Sequence, residues 1–452
     1  MRIAMIGTGY VGLVSGACFS EFGVDVICVD KDVEKIDRLC RGEIPIYEPG
    51  LDDYVQRNVA AGRLHFSTDL PSAVKDADAV FIAVGTPTRR GDGYADLSYV
   101  YAAAREVAGA MEGYTVVVTK STVPVGTGRE VERIIAAERP GVDFDMVSNP
   151  EFLREGSAIE DFVRPDRIVI GVESDRAMQV MRGLYRPLYL NETPIVATTL
   201  ETAEIIKYAA NAFLATKITF INQVADLCEV ADGNVQHVAR ALGLDGRIGS
   251  KFLHAGPGFG GSCFPKDTLA FSRIGERFGA PQKIVDAVVE VNESRKQRMT
   301  EKIVAACGGD VAGKTIAVLG LTFKPNTDDM RDSPSLVIVP GLQQAGATIR
   351  AHDPEGMPEA RKLLDGVGWC TDAYEAAEGA DCVVILTEWN AFRALDLDRL
   401  KTLMRRPLIV DLRNIYVPEE MEQAGFTYHS IGRTPVGVPV QAMPQKKASA
   451  GD

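Results

Sequence analysis

The segment GPGFGGSCFPKD, Gly256 to Asp267, sets Cys263 among four glycines and two prolines, with Lys266 and Asp267 close behind. A loop of that make-up exposes backbone amides and a thiol together. The thiolate is a strong nucleophile, and nearby cations lower the free-cysteine pKa of roughly 8.5 toward neutrality. An isolated cysteine is more often a small buried apolar residue; the glycine-rich setting here favours a reactive one. Lys207 and Asn211 stand four residues apart in KYAAN, on one face of a helical pattern with Ala203, Ala210 and Leu214 around them. A merely solvated face would carry more long charged side chains. Donors held on a rigid helix suit a developing oxyanion, each worth roughly 3 kcal/mol in the transition state. NPEFLREG places Glu151 and Glu155 four apart behind an Asn-Pro turn. On pattern alone these are helix-start carboxylates that complement the dipole. Beside a nucleophile, such acids transfer protons, worth about a hundred- to ten-thousand-fold.

A second chemistry is phosphate binding. GTGYVG, Gly7 to Gly12, follows the strand-like RIAMI and opens a helical pattern, and Asp30 ends the next apolar run. This is the G-x-G-x-x-G pattern in its required setting: Gly7, Gly9 and Gly12 allow a tight turn and close backbone approach. The helix N-terminus then meets a pyrophosphate while the Asp30 carboxylate accepts from a ribose. NAD is favoured over NADP, although Lys31 is a neighbouring cation that suits a phosphate in part. GTP, Gly85 to Pro87, and STVP, Ser121 to Pro124, follow further apolar runs. Strand carboxyl ends are where such sheets take ligands, which brings in the hydroxyls of Thr86 and Thr122. GLTFKPNTDDMRDSP, Gly320 to Pro334, follows a later strand and offers Lys324 and Arg331 to a second anionic ligand.

The elements that position these residues are legible as a rhythm. RIAMIG, DVICVD, RLHFSTD, ADAVFIAVGTP, YTVVVTKST, DRIVIGV and TPIVATTL alternate with helical patterns over the first 200 residues, as in a parallel sheet wrapped by helices. Glu201 to Val230 is 30 residues without Pro or Gly, about 45 Å as a helix; a second long helix is expected from Pro281 to Cys307. KTIAVLG, ATIRAHDP, ADCVVILT and PLIVDLRN then resume the alternation. The expected fold is α/β, with two Rossmann-like doubly wound parallel-sheet domains joined by a long central helix and a helical middle. The expected boundaries are 1–200, 201–307 and 308–433, with a disordered tail over 434–452.

Composition limits the rest. The chain has 452 residues, 46% apolar and 25% charged, which is globular make-up for two or three domains. Its 62 acidic and 49 basic residues leave a net charge of −13, which argues against nucleic-acid partners. Eight cysteines without a CxxC pair argue against a disulfide scaffold or a zinc site, and no metal is expected. The uncharged run Ile3 to Ser20 is broken by Gly7, Gly9, Gly12 and Gly16, so neither a leader nor a spanning segment is expected. A cytoplasmic protein without a membrane role follows.

In order, GTGYVG, STVP, NPEFLREG, KYAAN, FLHAGPGFGGSCFPKD and GLTFKPNTDDMRDSP resemble the motifs of the UDP-glucose/GDP-mannose dehydrogenase family. The likeness runs from Met1 to Arg433, and PGFGGSCFPKD reads most like the UDP-glucose branch. It implies twofold NAD-dependent oxidation of the C6 alcohol of UDP-glucose, giving UDP-glucuronate. It further implies that a base, with Lys207, Asp267 or bound water as candidates, takes the hydroxyl proton. Cys263 then captures the aldehyde, Lys207 and Asn211 hold the oxyanion, and water cleaves a thioester. Glu151 assists proton transfer, and Thr122 and Asp267 position waters. By the same resemblance Val11, Asp30, Lys35, Thr86, Thr122, Glu155, Lys266 and Arg331 contact NAD. The sugar nucleotide meets Glu151, Phe152, Leu153, Arg154, Glu155, Lys207, Asn211, Phe252, Leu253, His254, Ala255, Gly256, Gly260 and Lys324. The family also implies a homodimer on the central helix, with Arg247 reaching a neighbouring subunit's ligand.

Three other readings stay open at this level. GDP-mannose and UDP-N-acetylmannosamine dehydrogenases carry closely similar motifs. A single-step hydroxyacid or 6-phosphogluconate type dehydrogenase also joins a dinucleotide domain to long helices, but needs no nucleophilic thiol. A nucleotide-sugar sensor would keep the fold without needing Cys263, Lys207 and Asn211.

Overall fold

Side chains that alternate between two covered faces build both sheets. In β1 (Arg2–Ile6), Ile3 and Met5 pack into one apolar cluster, and Ala4 and Ile6 into another on the opposite face. A strand covered on both faces must be apolar at every position, which is why these runs are continuous rather than alternating polar and apolar. The computed structural model describes residues 1–89, 91 and 93–438.

The chain divides into two compact units, Met1–Ala212 with Lys266–Val285, and Phe213–Pro265 with Asp286 onward. The first holds β1, β2 (Asp25–Val29), β3 (Leu64–Ser67), β4 (Ala79–Ile82), β5 (Thr115–Thr119), β6 (Phe144–Ser148), β7 (Ile168–Gly171) and β8 (Ile195–Thr198) in the order 3-2-1-4-5-6-7-8. The second holds β9 (Thr315–Leu319), β10 (Thr348–His352), β11 (Val367–Trp369), β12 (Cys382–Ile385), β13 (Leu408–Asp411) and β14 (Thr427–Ser430) in the order 11-10-9-12-13-14. Both follow the doubly wound pattern, with the order reversing beside the first strand of each unit, where such sheets take ligands.

Three strands escape the sequence reading: β6, β11 and β14. β6 is FDMVS, with a charge inside the run and a half-buried start, and β11 has only three residues. The first sheet is parallel at every pairing but one: β7 meets β6 antiparallel at Ser148 and Gly171. The central helix spans Leu200–Val230, and the second long helix Lys283–Ala306. Together with the helix Phe264–Arg277 they run from one unit into the other, so the helical middle is shared between the units. Of the expected tail, 434–438 carries structure: Val436 pairs with Tyr428, and the Thr427 hydroxyl donates to the Gly437 carbonyl at 2.9 Å. Residues 439–452 lie outside the described residues. No helix among the described residues is long and apolar enough to cross a membrane.

Candidate active site

The glycine loop after β1 is shaped by three different demands. Gly7 has φ +102°, and a Cβ there would meet the Ala83 carbonyl oxygen at 2.7 Å. At Gly12, in the first turns of the helix Tyr10–Glu21, a Cβ would lie 1.9 Å from the Gly7 carbonyl oxygen. Gly9 has open space instead, directly before the helix start, and Val11 follows half-buried in the first turn. A pyrophosphate has room at Gly9 and unpaired helix N–H groups to meet it. Beyond β2, Asp30 accepts from the Thr8 amide at 2.9 Å, the Thr8 hydroxyl at 2.7 Å and Lys35 Nζ at 3.1 Å. Burial alone would raise this carboxyl, but the Thr8 hydroxyl and amide, the Asp32 amide and the Lys35 charge bring it down to about 2. The group stays ionised at neutral pH, which suits a ribose diol and repels a ribose phosphate. Lys31 is paired with Glu106.

Two loops at neighbouring strand ends clasp each other. The Thr86 hydroxyl donates to the Thr122 carbonyl at 2.9 Å, and the Ser121 hydroxyl to the Val84 carbonyl at 2.6 Å. Just before them Lys120 is fully sequestered, donating to Asn149 Oδ1 at 3.0 Å and the Tyr185 hydroxyl at 3.1 Å. Burial lowers its ammonium to about 8, against the pull of Glu151. Glu151 is itself buried, accepting from Lys207 Nζ at 2.9 Å and from the Leu153 amide at 2.5 Å. Burial would raise this carboxyl; the charge and hydrogen bond of Lys207, the Leu153 amide and Lys120 outweigh it and hold it below the ordinary range.

Glu151 and Glu155 are not helix-start carboxylates, because the chain runs irregularly until the helix Ala158–Val163. That helix start is met from elsewhere: Glu48 accepts from the Gly156 amide at 2.6 Å and the Ala158 amide at 2.7 Å, with the Tyr10 hydroxyl on the same carboxylate. Glu151 is thereby left to Lys207. Phe152 lies under Arg167, at 3.6 Å from its ring centroid, and 5.3 Å from Lys207 Nζ.

One helical turn beyond Lys207, Asn211 Nδ2 donates to Asp267 Oδ2 at 2.6 Å, and Lys266 pairs with the other oxygen of Asp267. Asp267 is buried and belongs to the helix Phe264–Arg277. Glu204, one turn before Lys207, accepts from the amides of Gly126 and Gly128, both at 2.7 Å. The stripe Glu204, Lys207, Tyr208 and Asn211 is therefore buried and polar along one side of the central helix.

In the second unit the cysteine loop is bound to the loop that follows β9. A Cβ on Gly260 would meet the Asp332 carbonyl oxygen at 2.4 Å, and one on Gly261 the Phe323 ring at 2.6 Å; the Gly261 amide donates to the Arg331 carbonyl at 2.8 Å. Asn292 and Asn222 secure the same loop through the Phe259 and Gly256 amides, both at 2.8 Å, and Arg295 donates to the Gly256 carbonyl at 2.6 Å. Cys263 is half-exposed, 3.4 Å from the Ser262 hydroxyl, directly before a helix start, whose dipole favours negative charge.

Several expected ligand contacts look different in the structure. Leu253 and Ala255 turn their side chains into the apolar core, so only their backbone is left for a ligand, while His254 is exposed and Phe252 takes the left-handed φ of +65°. Arg154 pairs with Asp161 at 2.6 Å and Arg331 with Asp329 at 2.8 Å. Arg247 is 91% exposed and paired with Asp245. Lys324 Nζ lies 5.2 Å from the Phe323 ring centroid. Glu48, Lys120, Glu204 and Arg295 were missed; a lysine ending an apolar strand run and a glutamate one turn before Lys207 were the available signals. Among the described residues no group of three His, Cys, Asp or Glu can hold a metal.

The sequence matches three domains of the UDP-glucose/GDP-mannose dehydrogenase family: the NAD binding domain over residues 1–189, the central domain over 201–294 and the UDP binding domain over 317–418. It is 65% identical to a UDP-glucose 6-dehydrogenase of Rhizobium meliloti, over 96% of this chain and 100% of that one. A Bacillus subtilis UDP-glucose 6-dehydrogenase is 52% identical, over 96% and 94% of the two chains. A solved UDP-glucose dehydrogenase from Pyrobaculum islandicum is similar at 41% identity and TM-score 0.88, over 96% of this chain and 98% of that one. With a glycine loop fit for NAD and the cysteine loop and KYAAN helix both present, the chain belongs to the UDP-glucose/GDP-mannose dehydrogenase family.

Proposed function

We propose that the chain oxidises the C6 alcohol of UDP-glucose to the carboxylate of UDP-glucuronate in two NAD-dependent steps. One observation carries the reading: two buried pairs, Lys207 with Glu151 and Asn211 with Asp267, stand one helical turn apart on the central helix. NAD, when bound, supplies the hydride acceptor of each step. Gly7, Gly9, Val11 and Gly12 cradle its pyrophosphate and Asp30 with Lys35 its ribose, while Thr86, Thr122, Glu155, Lys266 and Arg331 complete that contact set. Glu151 to Glu155, Lys207, Asn211, Phe252 to Gly256, Gly260 and Lys324 receive the sugar nucleotide.

In the first step a base at Lys207, Asp267 or a bound water takes the hydroxyl proton as hydride leaves C6, and an aldehyde results. The Cys263 sulfur then bonds to the aldehyde carbon, and the carbonyl oxygen becomes an oxyanion held by Lys207 and Asn211. Loss of a second hydride leaves a thioester, which water cleaves to the carboxylate and free thiol. Glu151 assists the proton transfers, with Thr122 and Asp267 positioning waters.

Cys263→Ser is expected to bind both ligands and fail at the second oxidation, and quenched wild-type enzyme to show a thioester mass on Cys263. One NADH per sugar, with free aldehyde accumulating, would defeat the scheme. A panel of UDP-glucose, GDP-mannose and UDP-N-acetylmannosamine tests the sugar, with UDP-glucose expected to give the highest kcat/KM.

The working form is a cytoplasmic homodimer. Phe213, Phe220 and Leu227 recur every seven residues on the central helix and are 66%, 54% and 63% exposed, a seam that a second copy would cover. Arg247 then reaches the neighbouring subunit's ligand. Phe220→Asp should shift the sedimenting species to monomer; an unchanged species would overturn the seam.

A further inference from the structure

Glu204 is buried one turn before Lys207 and four residues before Tyr208, so all three share one side of the central helix. Its two oxygens accept from the Gly126 and Gly128 amides, and the Ser148 hydroxyl stands 3.4 Å away. Beside it lies a cavity of about 10 Å³, lined by Thr119, Ser121, Thr122, Ser148, Glu204 and Lys207. That is room for about one water, and Val123 and Pro150 complete the lining. Glu204, Lys207 and Thr122 thus border one small cavity.

Two carboxylates flank Lys207 along this path, and their surroundings push them apart. Glu151 is held ionised by Lys207. Glu204 is pushed up to about 7 by burial and by the Glu201 charge, against the Gly128 and Gly126 amides and the Ser148 hydroxyl. Glu201 is itself paired with Arg129 at 2.8 Å. Buried Tyr208, raised by burial and by the charges of Asp267 and Glu204, stays a neutral phenol at neutral pH, as does Tyr101, also raised by burial. A group whose pKa lies near the working pH both accepts and releases a proton readily.

We propose that Glu204 receives, through one water in this cavity, the proton that each oxidation step releases at the Lys207 end of the site. The inference rests on the function proposed above. In the first step a C–H bond breaks with its electron pair leaving as hydride for the nicotinamide, the O–H bond breaks, and a C=O bond forms. In the second, the Cys263 S–H proton is lost as the sulfur bonds to the aldehyde carbon, and hydride then leaves that carbon as the oxyanion re-forms C=O. The proton from the O–H in the first step, or from the S–H in the second, passes to the base, then through the cavity water to a Glu204 oxygen, and on to solvent when Glu204 ionises again. Glu204 is thus a positioning residue for the proton and touches neither the substrate nor the cofactor.

Glu204→Gln keeps the size and one acceptor oxygen but takes up no proton. It is expected to lower kcat about ten- to hundredfold at pH 7, with both KM values within about twofold. The kcat profile should lose its inflection near neutral pH, and the solvent deuterium isotope effect should rise. Glu204→Asp should restore most of kcat with a displaced inflection. Unchanged kcat and profile in Glu204→Gln, or a lower Tm with an unchanged profile, would reduce Glu204 to a helix cap and overturn the inference. If Glu204→Gln does not fold, an unmoved inflection in Glu204→Asp overturns it equally. Lys207→Met separates the two levels. Full activity there sinks the site reading itself, whereas an inactive Lys207→Met beside a wild-type Glu204→Gln sinks only the relay.

Discussion

The two sheets begin alike and end with opposite uses of the same acid. Each first strand leads into a glycine with positive φ, +102° at Gly7 and +87° at Gly320. A threonine follows shortly, and its hydroxyl donates to the carboxylate that ends the second strand: Thr8 to Asp30 at 2.7 Å, Thr322 to Asp353 at 3.1 Å. From there the units part. In the first, the helix starts at Tyr10 and Gly12 brings it against Gly7, leaving open space at Gly9 and Asp30 20% exposed. In the second, the helix waits until Ser335, and the intervening loop packs on the cysteine loop instead. Asp353 is sealed, accepting from the Leu321, Gly356 and Glu355 amides and from Trp389 Nε1 at 3.2 Å. An acid at one topological position stays partly exposed where glycines keep space open, and is a clamp where a loop and an indole fill it.

Substitutions should break this contrast in a fixed order. Asp353→Ala strands several buried donors at once and should cost on the order of 4 kcal/mol in denaturant unfolding. Recovery of full stability in that variant would remove the clamp. Gly12→Ala forces the helix off the glycine loop and should weaken NAD binding about a hundredfold by calorimetric titration, roughly 3 kcal/mol. Asp30→Ala should weaken NAD about tenfold and narrow its preference over NADP, with a smaller loss in unfolding than Asp353→Ala; a loss as large as that one would make Asp30 a clamp like Asp353.

The smallest effect is in pH. Asp30 sits at about 2 in the folded chain, against roughly 3.9 unfolded. Its stabilising share is complete above about pH 4 and lost as pH falls toward 2. Glu204, at about 7 folded and roughly 4.3 unfolded, runs the other way. Its share is complete below about pH 4 and lost as pH rises to about 7. Tm against pH for Asp30→Asn and Glu204→Gln should depart from wild type in those two separate windows.

The glycine loop, the acid after β2 and the KYAAN pair were legible because each is local: spacing along one strand, turn or helix dictates its geometry. The strands missed were those whose burial is set by neighbours, such as β6, where Asp145 interrupts the run and is met by the Tyr114 hydroxyl at 2.7 Å. Glu151 read as a helix-start acid because nothing nearby in sequence shows that Glu48, 103 positions upstream, already occupies that helix start. Lys120 and Glu204 are set apart by burial and by partners far along the chain, Asn149 for the first and the Gly126 and Gly128 amides for the second.

Residue order alone determined the fold class and the cofactor type, since periodicity and short motifs are properties of neighbours in the chain. Only the tertiary structure decided which carboxylate faces a lysine, which caps a helix and which is sealed under a tryptophan. Those outcomes depend on desolvation and on partners tens to hundreds of residues away, and both arise only when the chain has closed on itself.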